Sequence, residues 1–196
     1  MTLELFLGLA AYAFATSITP GPNNLMLMAS GANFGFSRTI PHMLGVALGF
    51  VFMAILMGIG LSRVFVAIPW LYTVLLVLSV VYLLWLAWKI ATAAPPDAKT
   101  ASGTPMTFLQ AAGFQWVNPK AWGMALTAVT VYAPSQTISA VVLAAVVFGM
   151  INLPSVGVWV ILGQELRRVL TNPARLRAFN FFMAALLVAS MLVVIL

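Results

Sequence analysis

The stretch Thr19-Pro20-Gly21-Pro22-Asn23-Asn24 does most to limit what this chain can become. It sets two prolines, a glycine and two amides into a run that would otherwise pass, from residue 3 to 29, for one long membrane helix. Each proline lacks a backbone donor and crowds the carbonyl a turn earlier, while glycine admits backbone angles closed to other residues. The helix is expected to break there. In a bilayer core every unsatisfied backbone group costs several kcal/mol unless it faces protein or a wet cavity, so a break at this depth implies a cavity.

The rest of the composition puts that break in a membrane. The chain is 63% hydrophobic and 6% charged with a mean hydropathy of +1.10, which leaves too little polar surface for a soluble domain. Apolar runs long enough to span the hydrocarbon as helices, about 20 residues, fall at roughly 3–29, 40–61, 66–91, 107–133, 136–162 and 178–196. They predict an all-α polytopic membrane protein of six transmembrane helices, forming a single transmembrane domain over 1–196. The runs are apolar on every face, unlike the alternating strands of a β-barrel.

Lys and Arg mark the cytoplasmic side. Seven of the nine, Arg38, Lys89, Lys99, Arg167, Arg168, Arg175 and Arg177, lie on one side of the predicted topology; Arg63 lies on the other and Lys120 within a span. Both termini are therefore expected outside. The opening Met-Thr-Leu-Glu has no positive n-region, so the first apolar run is expected to remain as a span. The basic residues answer to topology and anionic headgroups, and nucleic acid is not an expected partner. With no cysteine, one histidine and three acids, no metal site, cofactor or enzyme chemistry is expected.

In chain order, Ser30 to Arg38 reads as a glycine-rich cytoplasmic turn, and Pro41 and His42 as the opening of span 2. Gly45 and Gly49 fall on one face of that span. Internal helix packing is the preferred reading of this face, and a homodimer seam the other. Residues 92–105, rich in Pro, Gly and Ser, form the linker between a first repeat at about 1–91 and a second at about 106–196.

Span 4 carries a second interruption, Gln115-Trp116-Val117-Asn118-Pro119-Lys120-Ala121-Trp122. A charge at that depth costs roughly 3 kcal/mol on insertion scales, so Lys120 is expected to face a partner or water. Span 5 holds a milder version in Asn152-Leu153-Pro154, and span 6 offers no polar feature with an assignable role. Pro20 and Pro119 each fall in the first span of a three-span half. Three is odd, so the halves enter the membrane from opposite sides. Two inverted three-helix repeats with broken helices 1 and 4 point to a transport site at the midplane, between the breaks.

The first motif, its continuation Ala29-Ser30-Gly31-Ala32-Asn33-Phe34-Gly35-Phe36 into Pro41-His42-Met43-Leu44-Gly45, and the Asn118-Pro119-Lys120 element together resemble the signatures of the lysine exporter (LysE/RhtB) family of amino-acid exporters. The resemblance covers essentially the whole chain. It implies a bacterial inner-membrane carrier that expels amino acids or close derivatives, driven by the proton gradient.

An amino-acid zwitterion needs a partner for its carboxylate and acceptors for its ammonium. Broken half-helices provide both, because N-terminal ends carry positive partial charge and C-terminal ends carry free carbonyls. Lys120 and the amides around Asn118 and Pro119 are the expected carboxylate partners. Carbonyls freed from Thr19 through Pro20 and Gly21 to Pro22, with Asn23 and Asn24, are the expected ammonium partners. The bland alternative is that the asparagines only cap broken helix ends. A buried lysine disfavours cationic cargo, so neutral amino acids are the expected substrates. Glu4, Asp97 and Glu165 all lie at membrane ends, which leaves Lys120 and His42 as the proton-coupling candidates. The competing function is a non-catalytic scaffold or channel subunit.

Overall fold

The computed structural model describes residues 1–61, 63, 67, 68, 70–93, 104–170 and 172–195, and these are helical throughout apart from short connections. The linker expected at 92–105, with Asp97 and Lys99, lies largely outside the described residues.

The first predicted span is two helices. Helix α1 (Leu3–Ile18) begins at Thr2, whose hydroxyl accepts from the amide of Leu5 at 3.3 Å, and carries Glu4 in its first turn, where a negative charge favours the positive helix end. Helix α2 (Pro22–Phe34) follows after three residues at an angle of 56°. Pro22 sits in the first turn of α2, where its missing donor costs nothing. Gly21, the N-cap, has φ −179°, an extended conformation open to any residue. The reason for glycine there is space: a methyl group would lie 2.9 Å from Cδ of Lys120.

The expected cytoplasmic turn at Ser30–Arg38 shrinks to one residue. Gly35, at φ 80°, ends α2 and starts α3 (Phe36–Leu56), which a π-helical turn extends to Leu61. That left-handed angle is one glycine adopts without strain, so the chain reverses in a single step. Pro41 accordingly lies inside α3 and does not open it, and His42 is buried.

Gly45 and Gly49 bring α3 onto a short helix α5 (Phe108–Phe114), since methyl groups at these positions would overlap the carbonyl oxygen of Phe108 and the backbone of Ala112. The pair thus serves packing within the chain. On an adjacent face of α3, Leu44, Leu48 and Phe52 are exposed at four-residue spacing, as a lipid-facing stripe requires.

Helix α4 (Trp70–Ala91) covers the third predicted span. The fourth is α5, a 3₁₀ turn at Gln115–Val117, and α6 (Pro119–Val131) with Asn118 as its cap. Helix α7 (Ile138–Val169) is 32 residues long, seven longer at its C-terminal end than the apolar run. Its last turns are polar, with an Arg168–Glu165 ion pair at 2.7 Å. The milder break expected at Asn152-Leu153-Pro154 does not form: α7 passes through Pro154 as a helix. Helix α8 (Pro173–Ile195) closes the bundle.

Three of these segments, Phe36–Leu61, Thr73–Ala91 and Ile138–Val169, are long and apolar enough to cross a membrane, and the bent α1–α2 pair passes as a fourth. Helix α7 packs on α1, α2 and α3, and α4 pairs with α8. The α2–α7 seam is backbone on backbone: added methyl groups at Gly31 and Gly163 would overlap the carbonyls of Val160 and Met28. Small residues let membrane helices approach this closely and gain dispersion energy. A reciprocal amide pair joins α2 to α8, Asn33 donating to Asn180 at 2.9 Å and Asn180 to Asn33 at 3.2 Å, both buried.

Candidate functional site

The two interruptions meet. Gly21 and Asn118, the N-caps of α2 and α6, are each followed by a proline in the first helical turn. Asn118 accepts from the amide of Lys120 at 3.2 Å and fixes the first turn of α6. From there the Lys120 side chain crosses to the first break. Its Nζ donates to the hydroxyl of Thr19 at 2.9 Å and to the carbonyls of Thr19 and Pro20 at 3.0 and 3.2 Å. An ammonium has three donors, and all three are engaged. The charge also sits at the C-terminal end of α1, where the helix dipole favours a cation.

The other carbonyls at the end of α1 are in use as well. Thr19 N–H donates to Ala15 and Thr19 Oγ1 to the Thr16 carbonyl. Asn24 Nδ2 donates to the carbonyls of Ser17 at 2.7 Å and Thr19 at 2.8 Å, and the indole of Trp159 on α7 donates to Ile18 at 3.1 Å. Every carbonyl from Ala15 to Pro20 therefore accepts a hydrogen bond. The ammonium acceptors expected here from sequence are already occupied, and Asn24 acts as a cap of α1.

Asn23 turns to the second break. Its amide donates to Gln115 at 2.9 Å and accepts from it at 3.3 Å, while Gln115 also donates to the Ala111 carbonyl. Ser79 on α4 donates to the Val117 carbonyl, and Trp122 donates to the Trp116 carbonyl at 3.0 Å, so the second break is supplied with donors too.

These groups line a small cavity, with room for about one water molecule. Gly21, Asn23, Asn24, Asn118 and Lys120 line it, as the sequence led us to expect; Pro20, Pro22 and Pro119 shape the breaks but do not line it. Its remaining walls are Thr16 and Ser17 of α1, Val46 and Phe50 of α3, Gln115, Ala121 and Met124 of α6, and Asn152 and Val156 of α7. Asn152 donates to the Ser17 hydroxyl at 2.9 Å, and its Oδ1 is buried without a partner. The signal for Asn152 was present as an amide beside a proline in an apolar run. Gln115 stood in the quoted interruption of span 4, but Ser17 gave no such signal, because its role depends on which helices meet.

His42 is 1% exposed, and neither ring nitrogen has a hydrogen-bond partner. It lies one turn along α3 from Val46 and outside the cavity lining. Among the described residues no group of three metal-ligating side chains occurs.

The architecture has counterparts among known proteins. The family model of LysE type translocators matches residues 14–195. The cysteine/O-acetylserine efflux protein of Salmonella typhimurium (strain LT2) is 31% identical over 191 residues, covering 96% of each chain. The protein of that name from Escherichia coli (strain K12) is likewise 31% identical with 96% of each chain covered. No solved structure matches the chain significantly. A match along nearly the whole chain, to a family of membrane translocators whose named relatives are amino-acid efflux proteins, makes this chain a member of the LysE type translocator family.

Proposed function

We propose that this protein exports small neutral amino acids or close derivatives from the cytoplasm by alternating access, and that the cavity between the two breaks is the substrate site. The observation that carries the reading is the Lys120 cage. A charged side chain from one break, held by oxygens of the other, is a costly feature for a scaffold and a natural one for a carrier that must recognise a zwitterion.

In this reading the six segments span the bacterial inner membrane as two inverted three-helix repeats with both termini outside. The substrate carboxylate is drawn to Lys120 and to the N-terminal ends of α2 and α6, whose first-turn amides have no helical partner. To meet it, Lys120 gives up at least one contact with Thr19 or Pro20. Binding thereby loosens the tie between the breaks, and the loaded carrier moves where the empty one is held. Export is coupled to protons through Lys120 or His42, since Glu4 and Glu165 lie near helix ends. The relatives' names put cysteine and O-acetylserine first among substrates to try.

The test is efflux of labelled amino acids from loaded cells or inverted vesicles, with and without a proton uncoupler. Saturable export of a neutral amino acid, abolished by the uncoupler, is the expected result. Non-saturating flux would indicate a channel, and no flux for any amino acid, with folded protein in the membrane, would overturn the exporter reading.

A further inference from the structure

Resting on that reading of the cavity, we propose that Asn152 Oδ1 receives the substrate's α-ammonium and selects amino acids over analogues that lack it. The reasoning is by availability. The oxygens nearest Lys120 already accept hydrogen bonds, three of them from Lys120 itself. A substrate ammonium placed there would also face the lysine's like charge. Among the described residues, the buried side-chain polar atoms without a partner are the two ring nitrogens of His42 and Oδ1 of Asn152. His42 does not line the cavity and Asn152 does.

The position of the amide is fixed. Asn152 lies on α7, the unbroken helix against which α1, α2 and α3 all pack. Its Nδ2 is held by Ser17 Oγ at 2.9 Å, which leaves the carbonyl end for a guest. Asn152 is only 4% exposed, and a buried acceptor without a donor is costly, so the empty site carries a deficit that an ammonium removes. A solute without that group leaves the deficit in place. A site built around an unmet polar group discriminates more sharply than an apolar pocket does. Lys120 and Asn152 would then hold the two charged ends of one zwitterion, with Val46, Phe50 and Val156 left for its side chain.

The experiment is counterflow of labelled O-acetylserine or cysteine by the full chain in proteoliposomes. Competitors are the unlabelled amino acid, its des-amino analogue and its decarboxylated amine. In the wild type the des-amino analogue is expected to compete at least about tenfold more weakly than the amino acid, the effect of one hydrogen bond to a charged group. Asn152→Leu keeps the approximate shape and removes the acceptor, and should bring that ratio close to one. Asn152→Asp keeps an oxygen at the same place and should preserve or sharpen it. Asn152→Ala serves as the second acceptor-free variant if the leucine protein does not fold. An unchanged ratio in an acceptor-free variant overturns the inference. So does an Asp variant that loses discrimination as fully as Leu, or a loss that falls on the amine instead. Failure of the wild type to exchange any amino acid would overturn the exporter reading and this inference with it; exchange with an unchanged ratio overturns this inference alone.

Discussion

Lys120 Nζ and the carbonyl oxygen of Thr19, 101 residues apart in the chain, are 3.0 Å apart in the fold. This contact, with its neighbours on Thr19 Oγ1 and Pro20, ties the second break to the first. Lys120→Met keeps most of the side chain and removes the ammonium. Saturable export is expected to fall at least about tenfold, the cost of charged hydrogen bonds, while insertion and folding persist. Transport rates against protein recovered in the membrane check this, and full activity in the variant would remove Lys120 from the mechanism.

Gly21→Ala tests the same contact from the other wall. The added methyl meets Lys120 Cδ at 2.9 Å and Nζ at 3.1 Å, so the lysine has to shift while the backbone, already extended, does not. Export should decline in the single variant, and Gly21→Ala should add little in a Lys120→Met background. Additive losses in that double-mutant cycle would mean that glycine serves something other than the lysine.

The Asn33–Asn180 pair makes a prediction about stability. Leucine at either position leaves a buried amide without its partner, which costs about 1–3 kcal/mol, whereas leucine at both removes the deficit. Thermal melting in detergent should show two destabilised single variants and a double variant that recovers most of the loss. Equal additive losses would show that the pair is incidental.

Glycines in this fold divide by what lies above them. Gly31→Ala puts a methyl into the Val160 carbonyl and should loosen the α2–α7 seam, lowering the melting temperature. Gly123→Ala in α6 meets nothing within 4 Å and should be neutral or stabilising by up to about 1 kcal/mol, the helix-propensity difference. The reverse order in a melting series would contradict the packing described for α2.

His42 gives a prediction about coupling. Its ring nitrogens are buried and unpaired, on a residue one helical turn along α3 from Val46 of the cavity wall. His42→Leu should reduce gradient-driven uphill export while leaving counterflow, which needs no net proton movement, largely intact. Equal loss of both would make His42 a packing residue.

The breaks at Pro20–Pro22 and Asn118–Pro119 were legible because proline and glycine act locally, on the residue that carries them. The glycine faces of α3 were legible for the same reason, as a spacing on one helix. The cavity was only half legible. Lys120 announced itself by its cost in an apolar run, but Gln115, Ser17 and Asn180 have meaning only through residues 92, 135 and 147 positions away. The reading of the α1 carbonyls as free acceptors went astray for a related reason: the donors that occupy them, from Asn24, Trp159 and Lys120, arrive on three different helices. Pro154 was overweighted, since a proline in a long helix packed on three neighbours need not end it.

The oxygens of Thr19 and Pro20 that converge on one point have the chemistry of a seat for a small monovalent metal ion. The chain fills it with an ammonium that cannot leave, because it is tethered to α6. The place a mobile cation would take at the end of α1 is thus held by a cation that is part of the chain.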